Sequence, residues 1–118
     1  MIIKPEDRTF EDMQWLICFQ VGCSIASYES ENHQEPNDAF MDHFCRTALL
    51  SYKGKITDEI FRAVEIGGIA MASSKRGKEM IKRKVSNKHI FTIEDTIEVK
   101  SIITEFMKEF YNSKKITT

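Results

Sequence analysis

The stretch that most constrains this chain is Q-W-L-I-C-F-Q-V-G-C-S-I-A-S-Y, residues 14–28, fifteen positions without a charged side chain. Met13, Leu16, Ile17, Gln20, Val21, Ser24, Ile25 and Tyr28 recur at the spacing of one helical face. Trp15, Cys18, Phe19 and Cys23 widen the apolar arc over most of the circumference. A helix apolar on so many sides must be surrounded, by the other helices of a bundle or by a second chain on one side. Its length falls short of the roughly 20 residues a membrane span requires, so no membrane role is expected.

The segments on either side carry helix-start and helix-stop chemistry. Thr9, followed by Glu11 and Asp12, predicts the start of the first helix, because its hydroxyl can cap the amides of the first turn. Residues 29–38, E-S-E-N-H-Q-E-P-N-D, read as a polar acidic loop ending in a cap at Asn37 or Asp38. A second helix follows over about residues 39–52, with Phe40, Phe44, Ala48 and Tyr52 on one stripe and Met41, Cys45 and Leu49 beside it. Gly54 is the expected stop. Thr57 predicts the cap of a third helix with Ile60, Phe61, Val64, Gly68 and Met71 inward. Gly67 and Gly68 inside it require either close approach of a neighbouring helix or a break.

Ser73 or Ser74 caps a fourth helix to about Val85, with Met80, Ile81 and Val85 inward. Thr92 opens the last one, with Ile93, Ile97, Val99, Ile103, Phe106, Met107 and Phe110 as its apolar face. The expected fold is an all-α, single-domain bundle of about five helices spanning 1–118. A short extended piece near 89–93 is the alternative for that segment, and 1–8 and 112–118 are expected to fray.

Charge is distributed unevenly. The net charge of −1 conceals an acidic first half: residues 1–60 hold 5 Lys/Arg against 11 Asp/Glu, and residues 61–118 hold 12 against 7. No Lys or Arg lies between Arg8 and Arg46. The halves are expected to complement one another within the fold, with head-to-tail self-association as the intermolecular version. Three cysteines without a C-x-x-C pair, and a charged N-terminus unlike a signal peptide, point to a reducing, cytoplasmic setting.

Chemistry-bearing patterns are sparse. Glu31, His33, Glu35, Asp38, Asp42, His43 and Cys45 offer potential ligands, but His43 and Cys45 point about 200° apart on a helix and cannot share one ion. A solvated acidic loop accounts for them, and no metal or cofactor is expected. The chain holds no G-x-S-x-G, P-loop or G-x-G-x-x-G, and the carboxylate pairs Glu11/Asp12 and Glu94/Asp95 are explained as helix starts, so an enzyme is not expected.

The densest local signal is S-S-K-R-G-K-E-M-I-K-R-K, residues 73–84, with six basic side chains between Lys75 and Lys84. Lys75, Arg76, Lys78, Lys82, Arg83, Lys84 and Lys88 are the candidate phosphate contacts of a nucleic-acid-binding regulator. The surrounding grammar is poor for that role. A helix-turn-helix does not fit residues 57–85, and no aromatic interleaves with the charges. The solvated face of a bundle helix explains the segment more simply.

The leading functional expectation is therefore stoichiometric binding of another protein, of inhibitor, immunity or adaptor type, with homo-oligomerisation as an addition. Its expected surface combines Trp15 and Phe19 with Glu31, Glu35, Asp38 and Asp42, facing a partner of basic character.

Overall fold

The computed structural model describes residues 10–86 and 91–116, and within them the chain forms five α-helices and no strand. They are α1 (Phe10–Asn32), α2 (Asp38–Ala48), α3 (Asp58–Ser73), α4 (Lys75–Ser86) and α5 (Ile93–Ile116). The all-α bundle expected from the helical periodicities is what forms. The cap at Thr9, residues 1–8, Lys88 and residues 89 and 90 of the 89–93 segment lie outside the described residues. Residues 91 and 92 lead into α5.

The apolar circumference of α1 is used within the fold. This helix touches each of the other four, and Ile17, Val21 and Ile25 are buried at the centre of one hydrophobic cluster. Cys45 and Leu49, Val64 and Met71, Met80 and Ile81, and Val99 and Ile102 close around them. Each large aliphatic side chain so buried contributes about 1.5–3 kcal/mol relative to exposure. No helix among the described residues is long and apolar enough to cross a membrane.

The closest crossing, α1 on α3, is built on glycine. A Cβ on Gly68 would overlap Val21 Cγ1 and lie 2.7 Å from Val21 Cβ. One on Gly67 would overlap the Cys18 sulfur, and one on Gly22 would lie 2.6 Å from Met71 Cβ. The helix α3 is unbroken through this point, so Gly67 and Gly68 mark packing and not a break. Their propensity cost, about 1 kcal/mol each, is offset by the contact their missing side chains permit.

The caps are local and mostly fall where the sequence puts them. Asn37 Oδ1 accepts from the Phe40 amide at 3.0 Å, and Thr57 Oγ1 accepts from the Ile60 amide at 3.2 Å. Ser74 serves two helices at once: its amide donates to Ala70 O at 3.0 Å, ending α3, while its hydroxyl accepts from the Gly77 amide at 3.0 Å, starting α4. A Cβ on Gly77 would overlap the Met71 carbonyl, so the corner closes only around glycine. Thr92 and Asp95 form a reciprocal capping box, amide to side chain in both directions at 2.8 and 3.2 Å.

Several expectations need correction. The first helix runs four residues into the presumed loop, to Asn32, and His33 ends it with φ 55°, its amide donating to Glu29 O at 2.9 Å. The second helix gives way at Leu49–Ser51 to a single 3-10 turn, and Gly54 is not a left-handed stop but makes room for the Tyr52 ring. Cys45 of α2 and Leu49 of the 3-10 turn are buried, while Phe40 stays 43% exposed. On α4, Val85 faces out and Lys84 faces in. On α5, the inward residues are Asp95, Thr96, Val99, Ile102 and Ile103, leaving Ile97 exposed. At the C-terminal side α5 continues to Ile116.

Candidate functional site

The basic helix is already matched from within. Arg76 Nη1 donates to Glu105 Oε2 at 2.6 Å and to Ser101 Oγ at 3.3 Å. Arg83 Nη2 donates to Glu98 Oε1 at 2.6 Å, and Lys84 Nζ to Asp95 Oδ2 at 2.5 Å. All four acceptors lie on α5, so Arg76, Arg83 and Lys84 of α4 are answered by the neighbouring C-terminal helix. Among the candidate phosphate contacts Lys84 is buried, and Arg76 and Arg83 are half-exposed and engaged with carboxylates. Lys75, Lys78 and Lys82 remain on the exposed side of α4.

The Lys84–Asp95 pair is the one buried ion pair among the described residues. Burial acts to raise the Asp95 carboxyl pKa. The Lys84 ammonium and the amide and hydroxyl of Thr92 outweigh it and hold the group below its ordinary value.

The expected partner-binding set separates into two groups. Phe19 is buried, 4% exposed, and packs its ring 5.7 Å from Phe91, so it is not a surface anchor. Trp15 is half-buried against the core. Glu31, Glu35 and Asp38 are exposed, whereas Asp42 holds Arg46 Nε at 2.6 Å, and the Arg46 guanidinium sits over the Phe61 ring at 5.4 Å.

The structure supplies other aromatics beside those acids. Tyr28 of α1 lies 4.8 Å from Phe40 and 6.2 Å from Phe44 of α2, and the two phenylalanines are 6.2 Å apart. Next to them Cys23, Ser24, Ser27, Tyr28, Glu31 and Phe44 line a shallow recess between α1 and α2. In the sequence Tyr28 stands on the helical face of α1 and Phe44 on a stripe of α2, with nothing to bring them together. Continuation of the α1 helical spacing through Glu31 is the signal for the recess, since it puts Ser24, Ser27, Tyr28 and Glu31 along one side.

A second, wholly apolar recess lies between α3 and α5, lined by Ile66, Ile69, Phe106, Met107 and Phe110. Its sequence signal was present in the α5 periodicity, though that pattern was assigned inward.

The three thiols are poor nucleophiles. Burial pushes Cys18 up to about 12, with Cys45 nearby adding to it, and pushes Cys23 up to about 11. Burial, with Glu65 and Asp42, places Cys45 at about 11. Among the described residues no three His, Cys, Asp or Glu side chains gather as a metal-binding group. No protein-family model matches the chain, and no curated protein or solved structure matches it either.

Proposed function

We propose that this protein acts by stoichiometric binding of another protein, in the manner of an inhibitor, immunity protein or adaptor, and that the α1/α2 surface is where the partner docks. The observation that carries this reading is the three-ring cluster of Tyr28, Phe40 and Phe44 at the surface, with Phe40 43% exposed. Phe40 is exposed and leans on the half-buried rings of Tyr28 and Phe44, and aromatics at a surface are the residue type that anchors protein interfaces. Glu31, Glu35 and Asp38 give the surrounding rim a negative sign, which suits a basic partner surface.

The competing reading, nucleic-acid binding through α4, has less support because three of its candidate cations face α5. What remains is the row of Lys75, Lys78 and Lys82.

Affinity capture from nuclease-treated lysate of the native source tests the proposal. A discrete protein should be retained by the wild type and lost with Phe40→Ala, while the urea midpoint of that variant stays close to the wild type. Capture indifferent to Phe40→Ala, but abolished by nuclease or by Lys75, Lys78 and Lys82→Glu, would transfer the function to α4.

A further inference from the structure

We infer that the recess between α1 and α2 is a receptor for an arginine side chain presented by the partner. This rests on the protein-binding reading above and specifies the chemistry of the group that enters.

Three observations converge on a planar cation. The recess brings two aromatic rings, Tyr28 and Phe44, beside the Glu31 carboxylate and the Ser24 and Ser27 hydroxyls, and no Lys or Arg is among its lining residues. Glu31 forms no ion pair among the described residues. The recess also lies at the C-terminal end of α1, a 23-residue helix whose last turn contains no basic side chain. That end carries the negative pole of the macrodipole, and here it is reinforced by Glu29 and Glu31 where a cation is ordinarily favoured.

The same chain shows what such a combination accommodates. On the other side of α2, Arg46 donates to Asp42 at 2.6 Å and places its guanidinium over Phe61 at 5.4 Å. The recess repeats the ring and the carboxylate, and lacks the cation. A guanidinium fits better than an ammonium, because it is weakly hydrated, stacks flat on aromatic faces and forks onto a carboxylate.

The probe is acetyl-Gly-Arg-Gly-amide, titrated into the full-length, isotopically labelled protein and followed by NMR. The lysine and citrulline analogues serve as controls, citrulline keeping the shape of arginine without its charge. Saturable shifts should centre on Ser27, Tyr28, Glu31 and Phe44. Citrulline should bind about tenfold more weakly, and Glu31→Gln should lower the affinity of the arginine peptide by about fivefold. Equal binding of the citrulline or lysine peptide overturns the inference, as do shifts spread evenly over Glu98, Glu105 and Glu109. If the arginine peptide fails while capture of a protein still depends on Phe40, this inference falls and the binding function stands. If the peptide binds and no captured protein depends on the surface, the arginine site stands and the function falls.

Discussion

Lys84 of α4 and Asp95 of α5 meet beneath the surface, Nζ 2.5 Å from Oδ2, with 9% and 11% of their side chains exposed. The contact joins the basic helix to the capping box of the last helix, since the same Asp95 oxygen accepts from the Thr92 amide. Truncating one partner leaves the other charged and buried. Lys84→Met is expected to lower the unfolding free energy by about 3 kcal/mol. Combining it with Asp95→Asn should cost less than the two single changes summed, which a double-mutant cycle in urea measures.

The same pair sets a direction with pH. Asp95 has a lower pKa folded than unfolded, so the folded state binds fewer protons. Its contribution is complete above the unfolded value of about 3.9 and is lost as pH falls through the folded value. Urea midpoints measured from pH 7 downward should therefore drop below about pH 4, and the gap between wild type and Asp95→Asn should narrow over that range.

At the α1–α3 crossing, Gly68→Ala gains helix propensity and loses the approach to Val21. Overlap with a β-branched side chain on a facing helix dominates, and a net loss of about 1–3 kcal/mol is expected. Val21→Ala in the same chain should restore part of it. Gly54→Ala is the comparison, because the Cβ there meets the far edge of one side chain, the Tyr52 ring, and no facing helix. Thermal unfolding of the four proteins distinguishes a packing role from a general intolerance of side chains.

His33 holds a left-handed backbone at the end of α1, with φ 55°. Glycine takes that conformation without a Cβ penalty, so His33→Gly is expected to stabilise the fold by about 1 kcal/mol, and His33→Val to destabilise it. Denaturant melts give both signs in one comparison.

Thiol titration reads the core directly. Cys23 is partly exposed whereas Cys18 and Cys45 are buried. At pH 8 one equivalent of thiol should react with an aromatic disulfide reagent before unfolding, slowly because its pKa is about 11. The other two should appear only in denaturant.

These features differ in how much of them could be read from residue order. The caps at Asn37, Thr57, Ser74 and Thr92 were legible because a capping oxygen and its amide are three residues apart or fewer. The partner of Lys84 was not. At about 100° per residue Lys84 falls between Met80 and Ile81, and Val85 falls about 90° from the centre of that arc, so the wheel itself turns Lys84 inward, but the carboxylate that neutralises it stands on another helix. The exposed position of Ile97 follows from the same pairing, which rotates Asp95 and Val99 toward α4 and the core.

The candidate site was half legible. Glu31, Glu35 and Asp38 are exposed as their charge requires, but Trp15 and Phe19 were expected beside them and pack into the bundle. The aromatic part of the surface comes from Tyr28, Phe40 and Phe44, residues brought together only because α1 extends to Asn32 and α2 folds back along it. Contact between residues 28 and 44 is a tertiary outcome that periodicity within either helix does not contain.

The corner at Ser74 has a practical corollary for anyone grafting a label or a reporter loop into this chain. With no spacer between α3 and α4, each added residue would pull the Ser74 hydroxyl off one helix or its amide off the other, and would prise Gly77 from the Met71 carbonyl. The segment 34–36 joins its helices without any such double duty, and it is the place where a foreign sequence can be carried while the bundle behind it stays as it is.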